Sequence, residues 1–441
     1  MEFAEKKIHF IGIGGIGMSA LAQMMAHESV AVSGSDRSES PVTELLESKG
    51  IMVAIGHTEE NLPEGADLVV HSDAVHDDNP ERREADRRGV RDISYFQALG
   101  EISKGKRTIA VAGTHGKTTT TGMLACILHD AGAEPTAIIG SIVKDFGSNY
   151  LSGTSDLFVV EACEYRDHLL ELTPHVLVIT NLEWDHTDYF PSLAALQETF
   201  RKAIAKVPAD GAIITNPHNP NIAPLLSSAK APIVDYTVSG RSDLPEGAYE
   251  LRAPGEFNQM NARAAAAAAR FVLQSVQHQV LHKVDESIRE SLPDFHGTWR
   301  RFEYKGKTKN GADVYDDYAH HPTAIKVTLE ALRGKVKGKV FVAFHPHLYS
   351  RTRDLLDEFA TAFVGADKVF FAPIYAARET DDGSISSEIL AERVRATGVE
   401  AKALDSFDAI EKALGEAQEG DTIITMGAGD IYKVADALVA K

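Results

Sequence analysis

Cysteine is nearly absent: the chain of 441 residues has two, Cys126 and Cys163. That excludes a disulfide framework and a thiolate metal cluster, and both thiols read as small fillers of core space. Long apolar runs are lacking as well. No stretch of about 18 or more apolar residues marks a membrane span, and no apolar segment with a cleavage site marks export. The expected location is the cytoplasm, without membrane insertion. Positive charge is in deficit, 45 Lys and Arg against 64 Asp and Glu, for a formal net charge of −19. This excludes a general nucleic-acid surface, which works by clustering basic side chains against phosphates. Anionic ligands must instead be held against an unfavourable overall field by helix ends, metal ions and single basic residues.

What is present is an ordinary globular composition, 44% hydrophobic and 25% charged, at a length that suggests roughly three domains of ~150 residues. The chain is organised around Arg107 to Gly132, RTIAVAGTHGKTTTTGMLACILHDAG. A buried strand, Thr108 to Ala112, runs into a tight loop with Gly113 and Gly116, and Lys117 with Thr118 to Thr121 opens a helix. That order brings backbone N–H groups and the positive end of a helix to face one anion. The glycines let the backbone approach closely, Lys117 reaches the outer phosphates, and Thr118 can offer its hydroxyl to magnesium. The full pattern G-x-x-x-x-G-K-[ST] would place a glycine where this chain has Val111. The strand, turn and helix context nonetheless predicts an ATP or GTP site.

Upstream, KKIHFIGIGGIG carries Gly12-x-Gly14-x-x-Gly17 between a strand and a helix through Met18 to Ala26, and the next strand, Val30 to Ser33, ends near Asp36. This is a dinucleotide fingerprint with its ribose-binding acid. A glycine turn at a helix start accepts any pyrophosphate, so the fold alone does not choose the ligand. Further strands at Met52 to Ile55 and Leu68 to His71, with a helix from Pro80 to Arg88, predict an open α/β unit ending near Ser103, and Ile102 to Arg107 reads as the linker.

After the phosphate loop, apolar strands are predicted at Leu157 to Val160, Val176 to Thr180 and Ala212 to Thr215. In a mainly parallel sheet the ligands lie outside the carboxyl ends of the strands. Glu161 falls at such an end and reads as a magnesium ligand, a hard oxygen beside the nucleotide phosphates. The segment Asn181 to His186 falls at another. A helix entered at PGEFNQMNA carries Asn258 and Asn261 in its first turn, one as a cap, the other able to read a base edge, and Ala262 to Ala269 reads as its tightly packed continuation. A third α/β unit begins near Thr298, with strands at Val314 to Tyr318, Val340 to Phe344, Lys368 to Ala372 and Thr422 to Met426. Polar groups again gather at their ends: Asp317, His320, His321, His345, His347, Arg351 and Asp430.

The runs AGTHGKTTTT, EACEY, NLEWDHTDYF, PGEFNQMNA, GTWRRFE, YDDYAHHPT, FHPHLYSRT and TMGAGDI together resemble the Mur ligases, in order and across the whole chain. The resemblance implies three α/β domains: a Rossmann-like UDP-sugar-binding domain over 1–103, a central phosphate-loop ATPase with a mainly parallel sheet over 104–297, and a Rossmann-like amino-acid-binding domain over 298–441. It implies an amide ligase of cell-wall precursor synthesis that uses ATP and Mg2+. UDP-N-acetylmuramate and L-alanine are the expected substrates, and a monomer or homodimer the expected state.

Carried over by residue, Gly113, Thr114, His115, Gly116, Lys117, Thr118 and Thr119 would cradle ATP, while Asn258, Arg301 and Asp317 would meet adenine, phosphate and ribose. Thr118, Glu161 and His186 would hold the metal. Gly14, Gly15, Gly17, Asp36 and Ser72 would hold the UDP moiety, and His347 and Arg351 would lie near the muramoyl and amino-acid carboxylates. Lys117, Glu161, His186, His347 and Arg351 form the expected catalytic set. The chain departs from the family pattern at Asp73, where a serine is usual, and at Phe257, where a histidine is common. Neither Arg201 nor Lys202 is assigned to the carbamylated-lysine position that some members use. Two rival readings stand: a recycling ligase that joins a tripeptide to the same sugar nucleotide, and an NAD-dependent oxidoreductase built on Gly12 to Gly17 and Asp36. The second leaves the phosphate loop and Glu161 without a role.

Overall fold

Three separate sheets carry the chain. The computed structural model describes residues 6–237, 248–377 and 379–439. The first sheet is formed by β1 (Lys7–Ile11), β2 (Ala31–Asp36), β3 (Met52–Ile55), β4 (Leu68–His71) and β5 (Arg91–Ser94), all parallel in the order β3-β2-β1-β4-β5. The order reverses at β1, so the glycine turn after β1 opens at the crevice where such sheets take ligands.

The second sheet contains β6 (Arg107–Ala112), β7 (Thr136–Val143), β8 (Ser148–Leu151), β9 (Leu157–Glu161), β10 (Pro174–Ile179), β11 (Ala212–Thr215) and β12 (Ile233–Asp235), in the order β12-β11-β10-β6-β9-β7-β8. Only the β7–β8 pair is antiparallel. Strand β6 sits at its centre with five successive residues buried, which is why it reads as an unbroken apolar run rather than an alternating one. Its register sets Val111 opposite Glu161 of β9 and Ala112 opposite Ile179 of β10. The loop that leaves β6 therefore starts level with both neighbouring strand ends.

The third sheet takes β13 (Glu303–Lys307), β14 (Asp313–Asp317), β15 (Val340–Phe344), β16 (Lys368–Phe371), β17 (Glu400–Ala403) and β18 (Thr422–Met426), in the order β13-β14-β18-β15-β16-β17. Here β13–β14 is the antiparallel pair. Asp317 and Phe344 both lie opposite Met426, so three stretches far apart in sequence end side by side. Apolar layers on both faces bury this sheet, one around Phe344, Phe359, Phe363 and Phe371, the other around Phe341, Phe370, Ile410 and Ile431.

By compactness the chain falls into two units. The first draws on residues up to Leu182, Gln197–Glu250 and Asn261–His296; the second draws on Glu183–Leu196, Leu251–Met260 and the chain from Gly297 onward. The division into 1–103, 104–297 and 298–441 is kept as our proposal for the domain boundaries. Two expectations are corrected. The linker reading of 102–107 is too long, because a helix spans Tyr95–Lys104 with a Ser94/Gln97 capping box, and β6 begins at Arg107. The helix after PGEF starts at Glu256, which leaves Asn258 in its first turn and moves Asn261 to the second. As expected, Ala262 and Ala264 to Ala269 of that helix are buried. Among the described residues, no helix is long and apolar enough to cross a membrane.

Candidate active site

In the first unit the phosphate loop is shaped by groups that the motif does not contain. Gly113 and Gly116 take φ of +127° and +81°, backbone that a side chain resists. At Gly116 a Cβ would also lie 2.2 Å from Asn261 Oδ1. Asn181, the second residue after β10, accepts from the His115 N–H through Oδ1 at 2.9 Å and donates to the His115 carbonyl at 3.1 Å. Thr180 Oγ1 donates to the same carbonyl at 2.6 Å. The helix Lys117–Asp130 that follows has no side-chain cap at its start, so the positive end of its dipole is directed at the loop.

Lys117 is the first residue of that helix, and Glu161 meets its second. Thr118 Oγ1 donates to Glu161 Oε1 at 3.0 Å, and the Gly140 N–H donates to Glu161 Oε2 at 2.9 Å. The carboxylate is thus pinned beside the threonine hydroxyl, with a glycine on its far side, where a Cβ would fall 2.4 Å from Oε2. Lys117 Nζ donates to both oxygens of Glu164, at 3.0 and 3.1 Å, and Glu164 is only 1% exposed. Burial by itself would lower the ammonium's pKa, but the Glu164 and Glu161 carboxylates outweigh it and hold the lysine charged. Glu164 is the site builder that sequence reasoning missed; Asn181 entered only as part of a strand-end segment and Asn261 only as a cap or a reader of a base edge. Glu164 stands three residues after Glu161 in EACEY, and Asn181 directly follows an apolar strand, so both carried the positional signal used for Glu161.

The glycine turn after β1 lies in the same unit. Gly12 and Ile13 N–H groups both donate to the Ser35 carbonyl, at 2.8 and 2.9 Å, and the Gly14 N–H donates to Asp36 Oδ2 at 2.8 Å. Asp36 is therefore the last residue of β2 and is aimed at the turn. Gly15 precedes the helix Ile16–His27. Gly17 lets that helix pack on Tyr95, whose ring would stand 2.6 Å from a Cβ, and the Ser72 side chain lies next to Gly12. Gly14, Gly15, Gly17, Asp36 and Ser72 are thus brought together.

The second unit gathers the remaining expected residues. Asp185 and Arg351 form a buried ion pair, with Nε and Nη2 donating to one carboxylate oxygen at 2.9 and 2.8 Å. Burial would raise the Asp185 carboxyl, yet Arg351 and the histidines around it hold it well below its ordinary range. Arg351 Nη1 lies 3.1 Å from His347 Nδ1; because the guanidinium can only donate, that nitrogen accepts and the imidazole proton sits on Nε2. His186 follows Asp185 in left-handed backbone, φ +53°, with its N–H on the Asp185 carboxylate at 2.6 Å. His320 is held neutral, well below its usual value, by burial and then by the charge of Arg351.

Asp317, at the end of β14, accepts from the N–H groups of Phe302 and Ala319 at 3.0 and 2.7 Å. Its pKa is nevertheless pushed up to about 6 by burial. Arg301 lies over the Tyr318 ring at 4.7 Å. Its neighbour Arg300 is buried, with Nε on Asp316 at 2.8 Å and its two terminal nitrogens on the carbonyls of Gly429 and Gly427. The two arginines of GTWRRFE therefore divide into a structural tie and a half-exposed cation. Asn258 is 3% exposed and donates to the Pro254 carbonyl at 2.7 Å, closing the turn that opens its helix.

A phosphate loop with a lysine, a threonine hydroxyl and an acid at the neighbouring strand end defines a nucleotide-dependent enzyme of the phosphoryl-transfer class. Family models match along the chain: the Mur ligase family catalytic domain over 7–107, the Mur ligase middle domain over 111–247 and the Mur ligase glutamate ligase domain over 300–429. A UDP-N-acetylmuramate–L-alanine ligase of Clostridium botulinum is 39% identical, covering 98% of this chain and 97% of that protein. The same-named ligase of Clostridium acetobutylicum is 38% identical, with 99% and 98% covered. Among solved structures, the UDP-N-acetylmuramate-alanine ligase of Thermotoga maritima superposes with a TM-score of 0.79 at 27% identity over 98% of each chain. A murein peptide ligase of Psychrobacter arcticus gives 0.74, also at 27% identity and 98% coverage of each. The chain belongs to the Mur ligase family, whose members depend on ATP.

Proposed function

We infer that this chain is an ATP-dependent ligase that joins UDP-N-acetylmuramate to L-alanine through an amide, in peptidoglycan precursor synthesis. The observation that carries the reading is the juxtaposition of Lys117, Thr118 and Glu161 in a chain that matches alanine-adding ligases from end to end. A carboxylate is a poor acyl donor because oxide cannot leave near neutral pH. Its oxygen attacks the γ-phosphorus of ATP, the bond to the β-phosphate breaks, ADP leaves, and an acyl phosphate results. The L-alanine amine then adds to the acyl carbon, loses a proton, and the collapse of the tetrahedral adduct expels phosphate.

The first step brings two anions together. Lys117, held charged by Glu164, offsets the repulsion at the γ-phosphate, and the helix start beside it receives charge on the phosphate oxygens. Thr118 and Glu161 present hard oxygens 3.0 Å apart beside the loop, a donor set that suits magnesium, and these two residues would hold it; His186, the third expected ligand, belongs to the second unit. When bound, the ion supplies further charge neutralisation to the phosphates. Gly14 to Gly17, Asp36 and Ser72 are proposed to hold the UDP moiety. Asn258, Arg301 and Asp317 are proposed nucleotide contacts, and Arg351 with His347 a proposed carboxylate-recognition pair.

The test is phosphate release by purified protein given ATP, UDP-N-acetylmuramate and either L-alanine or the tripeptide. Turnover with L-alanine is expected; faster turnover with the tripeptide would assign the chain to peptide recycling instead. With 18O in the muramoyl carboxylate, one labelled oxygen is expected in the released phosphate, and its absence would remove the acyl phosphate.

A further inference from the structure

The turn that follows Glu161 and Glu164 is strained and reaches toward the first sheet. Arg166 and Asp167 are consecutive non-glycine residues in left-handed backbone, with φ of +51° and +63°, a conformation that persists only where surrounding contacts enforce it. Two contacts do so here. The Asp167 carboxylate accepts from Thr199 Oγ1, and His168 is carried into a slot of the glycine-turn domain. There its ring stacks on Phe96 at 3.6 Å and 11°, with Tyr165 edge-on at 6.1 Å. His168 Nε2 lies 2.7 Å from Asp73 Oδ2, and the side chains are only 12% and 26% exposed.

Asp73 is an awkward residue in that place. It directly follows Ser72, whose Cβ would stand 3.1 Å from a Cβ on Gly12, so a carboxylate borders the turn proposed for a doubly anionic pyrophosphate. The groups that face it are His168, exposed Arg166 and His71; His71 is itself engaged by Asp92 at 2.6 Å. Burial disfavours the Asp73 charge, and the hydrogen bond and charge of His168, followed by the charges of Arg166 and His71, more than compensate. The acid is therefore ionised, and His168, with Nε2 at 2.7 Å, is the side chain in closest contact with it.

We propose that His168 is a positioning residue for the sugar nucleotide, tying the loop after β4 to the chain after β9 and holding the Asp73 carboxylate against its own ring beside the glycine turn. The inference rests on the ligase reading above. The mechanical part follows from the chain path: one end of the brace is seven residues from Glu161, and the other is next to Ser72. The electrostatic part follows from Coulomb repulsion between a bare Asp73 and the substrate phosphates, which a half-buried site screens poorly.

The test compares wild type, His168→Gln, Asp73→Asn and the double variant in steady-state assays with UDP-N-acetylmuramate, ATP and L-alanine. His168→Gln is expected to raise KM for the sugar nucleotide about tenfold, while KM for ATP and kcat stay within about threefold. Removing the stranded charge should repair much of this, so the double variant should return to within about threefold of the wild-type KM. A purely structural role would leave the double variant as poor as His168→Gln or worse, or would move both KM values together, and either result overturns the proposal. Should His168→Gln fail to fold, titration of wild type and His168→Phe, which keeps the stack on Phe96 and leaves the Asp73 carboxylate without its partner, with UDP-N-acetylmuramate decides: affinity must fall about tenfold in the variant, and equal affinity overturns the proposal. A wild type that does not turn over UDP-N-acetylmuramate would instead sink the ligase reading itself.

Discussion

The phosphate loop and the strand-end cluster of the second unit both collect charged groups that follow the carboxyl ends of strands, but they are built differently. The loop is made from consecutive residues, 113 to 118, and its geometry is backbone geometry: two glycines with positive φ and a helix start. The second cluster has no such kernel. Asp185, Asp317, His320, His347 and Arg351 come from separate stretches, and a buried ion pair fastens two of them. The frame of the loop is set by local backbone, whereas the second cluster is assembled only through contacts between distant stretches.

The largest effect that would break this comparison comes from Lys117→Ala. Turnover is expected to fall at least about 1,000-fold, as befits a group aimed at transition-state charge. The same change strands Glu164 in the interior, so the first unit should also lose about 3–5 kcal/mol of stability. In Lys117→Ala/Glu164→Gln, denaturant melts should recover while phosphate release does not. Recovery of both would show that Lys117 serves only to neutralise Glu164. Next is Glu161→Ala, for which the magnesium concentration giving half-maximal rate should rise by about 100-fold; an unchanged magnesium titration would take Glu161 out of the metal set.

A third measurement addresses the other region. Both tryptophans, Trp184 and Trp299, belong to the second unit, so their fluorescence follows that unit alone. Arg351→Met should cost about 3–5 kcal/mol in its denaturant melt, and pairing it with Asp185→Leu should regain most of the loss. Because the folded-state pKa of Asp185 is depressed, its stabilisation is full above the ordinary carboxylate value and fades as the pH falls below it. The tryptophan signal should therefore weaken in acid, and Asp185→Leu/Arg351→Met should flatten that dependence.

The smallest expected effect concerns Asp317. With a pKa near 6, its carboxylate loses its charge as the pH drops through that value, and KM for ATP should rise up to about tenfold between pH 8 and pH 5. Asp317→Asn should show the raised KM at pH 8 with little further change. A wild-type KM that is flat across this range would remove Asp317 from nucleotide binding. The opposite sign applies to stability: a raised carboxyl favours the folded state below its unfolded value, and that contribution is lost as the pH rises through 6.

Much of the fold was legible because central strands are buried on both faces. β1, β4, β6, β9, β10, β11, β15 and β18 all stand out as apolar runs. The strands left unread are mostly sheet edges: β5 RDIS, β8 SNYL, β12 IVD, β13 EYKGK and β17 EAKA. An edge strand is half solvated and carries little hydrophobic signal. β7, TAIIGSIV, is apolar but lies in a stretch without a motif. In the site, Lys117, Thr118 and Glu161 could be named because their roles depend on position along one strand and one turn. The roles of Glu164, Asn181 and Asn261 could not be read from position, because they depend on which atoms these residues meet.

From its residue order alone this chain determined a phosphate loop at the start of a helix, a glycine turn with an acid at the end of the next strand, and α/β modules around both. These are local consequences of backbone geometry and of apolar periodicity. Only the tertiary structure decided which polar side chains meet: Lys117 with Glu164, Arg351 with Asp185, His168 with Asp73. An ion pair requires approach to about 3 Å, and that approach is set by strand order and register, which the chemistry of any single stretch does not contain.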